Sequence, residues 1–159
     1  MKEARVFPET PALEQAMAEA LATVETDGAT PFGAVLLDVA GNIVAFSAAN
    51  TCAEDGPLAH AEMNVMWLAL RERSDLRGLV LVSTVEPCPM CSCAAVMSAV
   101  DGIAFGTSIA TIAGLGWPQV MISSDHIADA HTLRRIPVVG GVLGDRTDAL
   151  ARRTGVPSR

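Results

Sequence analysis

Three cysteines lie within six residues in the stretch "TVEPCPMCSC", which covers residues 84–93. Cys88 and Cys91 have the C-x-x-C spacing that is used both for zinc binding and for thiol redox pairs. This spacing alone does not choose between the two kinds of site. The rest of the chain contains one further cysteine, Cys52.

A histidine and a glutamate upstream extend the cysteine pair to a candidate catalytic zinc site. His60 begins one predicted helix in "LAHAEMNV", and Cys88 begins another. Three protein ligands leave the fourth tetrahedral position open to water, as in catalytic zinc sites. Glu62 follows His60 by two residues, so on a helix it does not overlie the histidine and can face this water without binding the metal. A carboxylate there can move protons between water and a leaving nitrogen.

Helices and strands alternate along the segments that must position these residues. The order is helix, two hairpin strands, helix, strand, helix and strand, with a further strand edge and a last helix expected after residue 133. Met63, Met66, Trp67 and Leu70 form a predicted core stripe on the second helix. Beyond residue 107 the pattern weakens, and we expect a loop over 111–119 and a short strand within 119–122. Such alternation predicts an α/β fold, a sheet covered by helices on its faces. The predicted segments are helices at 10–28, 60–73, 88–100 and 145–154, and strands at 32–38, 43–50, 79–84 and 102–106.

Length and charge limit the classes of protein. The 159 residues suit a single domain, residues 1–159, and a net charge of −7 argues against an extended phosphate-binding face. No apolar run is long enough to span a membrane. The first ten residues contain no apolar signal core, so we expect a cytoplasmic protein whose thiols stay reduced, which favours metal binding or catalysis over disulfides.

The motif residues match a known pattern. His60-Ala61-Glu62 followed by Pro87-Cys88-Pro89-Met90-Cys91 fits the H-x-E…P-C-x-x-C signature of zinc nucleobase deaminases. With "PFGAVLLD", "AHAE", "STVEPCPMC" and "GIAFGTS" in family order, residues 10–110 resemble the cytidine/deoxycytidylate deaminase superfamily. The resemblance is greatest to the branch that holds guanine deaminases, tRNA adenosine deaminases and small cytosine deaminases.

The resemblance implies properties that composition and spacing do not show. It implies a three-layer α/β/α sandwich with a mixed five-stranded sheet, and a homodimer. It agrees with the zinc site that the spacing already predicts, one ion per chain bound by His60, Cys88 and Cys91. The implied reaction is hydrolytic deamination of an amidine-like ring carbon, in which Glu62 shuttles protons and ammonia leaves.

Further residues are assigned to substrate binding. By resemblance, Asn50 hydrogen-bonds the base, although the loop from it to His60 is one residue shorter than in many relatives. The backbone at Ala61 and at residues 84–86 is expected to line the pocket, with Glu86 more structural than catalytic. Phe32 is assigned either to the pocket or to the core. Trp117 could stack on a planar ring or form a surface or dimer contact.

The remaining cysteines and histidines receive other assignments. We interpret Cys93 as a small buried residue, because it faces away from Cys91 on a helix. Cys52 is expected to be a free thiol, and His126 and His131 are expected to serve loops or the surface.

The sequence leaves several substrates open. The acidic net charge suits a small amino-heterocycle, and "PFGAV" favours a guanine-type base. Two departures oppose guanine: the aspartate-rich string of guanine deaminases is replaced by "AGLGWPQVMISSD", where only Asp125 could substitute, and the chain has no tyrosine. A tRNA adenosine deaminase is supported by six arginines among the last 26 residues but opposed by the net charge. A zinc-stabilised binding scaffold without catalysis and a thiol redox pair also stay open.

Overall fold

The computed structural model describes residues 7–27, 30–48, 56–132 and 134–156. No helix in these ranges combines the length and apolar character that crossing a bilayer would need. The elements in chain order are α1 (Thr10–Asp27), β1 (Gly33–Asp38), β2 (Ile43–Ala48), α2 (Ala61–Leu70), β3 (Leu79–Val85), α3 (Pro89–Met97), β4 (Gly102–Thr107), α4 (Ile109–Gly114), α5 (Ser124–Ala130), β5 (Val138–Val139) and α6 (Gly144–Arg153).

The five strands form one mixed sheet in the order β2-β1-β3-β4-β5. β1 pairs antiparallel with both β2 and β3, whereas β3, β4 and β5 run parallel. Parallel neighbours need a crossover connection, and α3 supplies it between β3 and β4. The carboxyl end of β3 therefore leads directly into the start of α3, which carries the cysteine pair.

Apolar side chains cover both faces of the sheet. Leu36, Leu81 and Ile103 pack with residues of α2 and α3 on one face. Val35, Val80 and Ala104 point to the opposite face, where they pack with residues of α1 and α6. This alternation follows from the two-residue period of a strand. The predicted α/β/α sandwich with a mixed five-stranded sheet is confirmed.

The strand edge and the last helix predicted after residue 133 are present as β5 and α6, whereas the segment between β4 and β5 differs from the prediction. Residues 119–122 form no strand, and two short helices, α4 and α5, flank the loop that contains them. Ser108 and Ser123 cap these helices, with side chains that accept from the backbone N–H groups of Thr111 and His126. Serine is a favoured helix N-cap. The nearby glycines at 114 and 116 are typical of loops, so the sequence predicted a loop here instead of helices.

Two predictions of burial are wrong. Trp67 is 65% exposed rather than part of the core, because α2 buries Ala61, Glu62, Val65, Met66 and Ala69 instead. Cys93 is exposed, because α3 turns Cys91, Ser92, Ala95 and Val96 inward. In both helices the sequence pattern was apolar on more than one side, so periodicity did not identify the buried face.

Candidate metal centre and pocket

Two helix starts carry the predicted metal ligands. His60 is the N-cap of α2 and Cys88 is the N-cap of α3, and both have extended backbone dihedral angles. Neither side chain caps its own helix, so each is free to turn toward the other. Pro89 follows Cys88 at the first helical turn, where its missing N–H costs nothing. The prediction that these two residues begin helices is confirmed.

The ligand atoms of His60, Cys88 and Cys91 converge. His60 Nδ1 lies 3.7 Å from Cys88 Sγ and 3.5 Å from Cys91 Sγ, and the two sulfurs are 3.7 Å apart. A tetrahedral zinc ion, with Zn–S bonds of about 2.3 Å and a Zn–N bond of about 2.0 Å, places two sulfurs about 3.8 Å apart and a sulfur and a nitrogen about 3.5 Å apart. These three residues therefore fit a zinc ion and could hold one.

The two thiols differ in acidity. Hydrogen bonds, first with Cys91 and then with His60, lower the pKa of Cys88 to about 4, against the opposing effect of burial. The same hydrogen bond with Cys88, together with burial, raises the pKa of Cys91. The hydrogen bond with Cys88 also raises the pKa of His60. Cysteine binds zinc as the thiolate, so binding of the ion would release protons from this pair.

Glu62 is a buried carboxylate beside the three ligands. It is 5% exposed, and its Oε2 lies 3.7 Å from Cys91 Sγ. Glu62 does not belong to the converging ligand set, as its position two residues after His60 predicts. Burial raises its pKa, because the charged form loses hydration there. A carboxylate whose pKa is raised in this way is suited to taking up and releasing a proton.

Ser83 orients the Glu62 carboxylate, a contact that the sequence analysis missed. The Ser83 hydroxyl lies 3.1 Å from Glu62 Oε1 and is buried at the end of β3. Leu79 and Leu81 of β3 pack toward α2, so alternation along the strand places Ser83 on that side too. The sequence did contain a sign of this contact: Ser83 follows Leu79 and Leu81 at the two-residue spacing of core-facing positions in β3.

Glu86 lines the pocket, and both of its carboxylate oxygens are engaged by backbone donors. Oε2 accepts from the N–H of Ile109, the first residue of α4, at 2.8 Å. Oε1 accepts from the N–H of Ser124, the first residue of α5, also at 2.8 Å. Glu86 therefore holds the starts of both helices. This geometry favours a positioning role, in line with the prediction that Glu86 is more structural than catalytic.

The two predicted aromatic residues pack on each other. Phe32 and Trp117 meet edge to face, with ring centroids 5.1 Å apart. Phe32 lines the pocket, whereas Trp117 lies buried among Val85, Ile112 and Ala151. The indole nitrogen of Trp117 has no hydrogen-bond partner among the described residues. Trp117 therefore packs against Phe32, and Phe32 is the one of the two that lines the pocket.

The pocket over the metal ligands includes a residue that was not predicted, Gln119. The described residues that line it are Phe32, His60, Glu62, Val85, Glu86, Cys88 and Gln119. Gln119 comes from the loop between α4 and α5, where the sequence offered no periodic signal.

The other predicted site residues have separate places. Ala61 is fully buried at the start of α2. Asn50 and Cys52 lie outside the described residues. His131 Nδ1 contacts the backbone of Arg134, and His126 lies in α5. Asp125 lines a surface groove with Asp129 and Arg135 rather than the pocket over the metal ligands.

Curated proteins with similar sequences act on bases or on tRNA. The chain is 32% identical over 124 residues to a probable cytosine deaminase of Schizosaccharomyces pombe, covering 75% of both chains. It is 40% identical over 84 residues to a tRNA-specific adenosine deaminase of Bacillus subtilis, covering 52% of both. It is 37% identical over 118 residues to a tRNA(Ile)-lysidine synthase of Deinococcus deserti, covering 70% of this chain. The chain spans only 22% of that synthase.

Solved structures share the fold. A mutant protein in complex with 8-azaguanine superposes with a TM-score of 0.78 at 25% identity, over 89% of this chain and 84% of that one. The guanine deaminase of Nitrosomonas europaea superposes with a TM-score of 0.77 at 24% identity, over 96% and 88%. Residues 9–107 match the family described as the cytidine and deoxycytidylate deaminase zinc-binding region, for which zinc-dependent hydrolytic deamination is characteristic. The chain therefore belongs to the cytidine and deoxycytidylate deaminase family.

Proposed function

We propose that residues 1–159 form a single zinc-dependent deaminase domain that hydrolyses the exocyclic C–N bond of a nucleobase, nucleoside or related amino-heterocycle. A guanine-type base is the favoured substrate. The observation that carries the proposal is the buried Glu62 carboxylate, which lies in the same pocket as the converging ligands His60, Cys88 and Cys91. A zinc ion that only stabilised the fold would not require a carboxylate at this position.

The chain's own residues account for the proton transfers of the reaction. Zinc, when bound, would act as a Lewis acid and lower the pKa of water to about 7. Glu62 takes a proton from the attacking water and delivers it to the leaving nitrogen. Addition of water to the ring carbon and cleavage of the C–N bond leave a ring carbonyl and ammonia. Ser83 holds Glu62 Oε1 during these transfers.

The character of the pocket supports a small uncharged ring. Phe32 and Val85 provide apolar walls, and the described residues that line the pocket include no lysine or arginine. A phosphate would therefore find no cationic partner among them. Binding of the guanine analogue 8-azaguanine by a protein of the same fold at 25% identity also supports a guanine-type base.

A tRNA adenosine substrate is the second candidate. The observation in its favour is the 40% identity to a tRNA-specific adenosine deaminase. Against it stands the net charge of −7, because RNA backbones are bound mainly by basic surfaces.

Ammonia release from a substrate panel tests the proposal. We would offer guanine, cytosine, adenine, their nucleosides and a tRNA anticodon stem-loop to protein whose zinc content has been measured. We expect release from a free base or nucleoside. Release from the stem-loop alone would favour tRNA editing instead, and no release from a zinc-loaded protein would favour a binding scaffold.

We further propose that the protein forms a homodimer through the outer face of α2. Leu58 and Trp67 are about two-thirds exposed, at 66% and 65%, and line one groove with Met63, Leu68 and Arg71. Exposed aromatic and aliphatic side chains grouped in this way are typical of interfaces. The groove begins two residues before His60, so a second copy seated there would lie beside the metal ligands. An isologous contact of this kind closes as a dimer.

Light scattering on the native protein and two matched variants tests the dimer. We expect the native protein to be a dimer at micromolar concentration and Trp67→Glu to be a monomer. Val120→Glu places the same charge on another exposed apolar residue, outside the groove, and should stay dimeric. A monomeric native protein would refute the proposal. A cytoplasmic location stays a prediction.

A further inference from the structure

Gln119 is a polar side chain in the pocket, and the proposed reaction assigns it no role. It is half-buried in the loop between α4 and α5 and shares the pocket with His60 and Glu62. No hydrogen bond among the described residues occupies its carboxamide. The amide therefore retains one acceptor oxygen and two N–H donors for a bound molecule.

The segment 109–124, which contains α4 and the loop that carries Gln119, is anchored at its first and last residues. Glu86 accepts from the N–H groups of Ile109 and Ser124, which stand before and after the loop. Two residues before Gln119, Trp117 is packed against Phe32 and Ile112. Because the backbone on either side is anchored, the Gln119 amide is held in the pocket rather than in solvent. A fixed hydrogen-bonding group can select substrates, since little ordering entropy is lost on binding.

We propose that Gln119 is a specificity-determining residue that recognises a ring amide, a lactam with adjacent N–H and C=O groups. This inference rests on the proposed function. A carboxamide pairs with a lactam through two hydrogen bonds, because its N–H donates to the ring carbonyl and its oxygen accepts from the ring N–H.

The candidate substrates differ in whether they contain a lactam. Guanine and cytosine each contain a ring amide in addition to the amino group that leaves. In adenosine the only base donor is the leaving amino group itself, which must face Glu62 and the metal ligands. An amide at Gln119 thus favours lactam bases over a tRNA adenosine.

The first test compares substrates that differ in the lactam alone. Guanine would be paired with 2-aminopurine, and cytosine with 4-aminopyrimidine, and the ratio of kcat/KM within each pair would be measured. Two hydrogen bonds predict that Gln119→Leu lowers this ratio by about 10- to 100-fold relative to the native protein. Gln119→Glu, which is nearly isosteric, keeps the acceptor but loses the donor and should also lower the ratio. Val120→Ala, a neighbouring exposed position outside the pocket, should leave it within about twofold.

The second test measures binding and does not depend on turnover. The zinc-loaded native protein should bind hypoxanthine, which has the lactam, about 10- to 100-fold more tightly than purine. In Gln119→Leu the two dissociation constants should differ by less than about threefold. If the native protein turns over none of the bases, the proposed function fails, yet a lactam preference that disappears in Gln119→Leu would still support this inference. Equal ratios in the native protein and the Gln119 variants, or no binding of hypoxanthine, would overturn it.

Discussion

At the scale of the residue, one hydroxyl orients Glu62, the proposed acid–base group. Glu62 is buried, and Ser83 is the side-chain donor that the structure places 3.1 Å from its Oε1. A buried carboxylate without this partner would turn to other contacts and would be misaligned with the substrate nitrogen. Small displacements of a catalytic group are costly, because proton transfer requires hydrogen-bond distance.

Ser83→Ala should lower kcat by about 5- to 20-fold, which corresponds to one lost hydrogen bond of about 1 to 2 kcal/mol. Zinc content should stay at the native level, because Ser83 does not contact His60, Cys88 or Cys91. Steady-state kinetics with metal analysis on the same samples would measure both. An unchanged kcat, or a loss that follows lost zinc, would contradict the orienting role.

Residue types and spacing were sufficient to predict that His60, Cys88, Cys91 and Glu62 come together. The reason is that C-x-x-C and H-x-E are short motifs, and each places its residues at a single helix start. Ser83 and Gln119 could not be identified in the same way, because their roles come from packing between elements distant in the sequence. Asn50 stays a prediction, since it lies outside the described residues.

At the scale of the element, one carboxylate joins three segments of the chain. Glu86 follows β3 and binds the first residues of α4 and α5. Ser124 adds a second link, because its hydroxyl contacts the carbonyl oxygen of Pro87 at 3.1 Å. The loop that precedes the cysteine pair and the loop that carries Gln119 are therefore held as one unit.

Glu86→Gln should destabilise the fold by about 2 to 4 kcal/mol, because an amide NH2 would face one of the two backbone N–H donors in a buried place. The free energy of unfolding in urea would measure this. Asp125→Asn is the matched control: it makes the same change at an exposed position in the first turn of α5 and should cost at most about 1 kcal/mol. Equal losses in the two variants would argue against the Glu86 contacts as a structural link.

Elements with a regular pattern were predictable, and the short helices α4 and α5 were not. α1 and β3 have strong periodicity or a continuous apolar run, and both were predicted. α4 and α5 have six and seven residues, too few for a periodic pattern to show. Their position is determined by the serine caps and by Glu86, which are tertiary effects.

At the scale of the whole molecule, metal binding and folding are coupled. The ligands come from α2 and α3, which are separated by β3 in the chain, so the complete ligand set exists only in the folded protein. A ligand that binds only the folded state at 100 times its dissociation constant stabilises it by about 2.7 kcal/mol.

Removal of zinc with a chelator should therefore lower Tm by about 5 to 10 °C for a domain of this size. Differential scanning calorimetry before and after chelation, with zinc added back, would measure the shift. Cys93→Ser should behave as the native protein does, because Cys93 is exposed and outside the ligand set. Coincident transitions with and without zinc would contradict a site held by three protein ligands. A thiol redox pair, in contrast, would predict activity that resists the chelator.

The most direct test of the proposed function is ammonia release by the native protein beside Glu62→Gln at equal zinc occupancy. Glutamine fills nearly the same volume but cannot carry the proton. We predict that the variant retains one zinc ion per chain and loses activity on guanine or cytosine by about 10²- to 10⁴-fold. A zinc-loaded Glu62→Gln protein that deaminates at the native rate would contradict the assignment of Glu62 and the mechanism built on it.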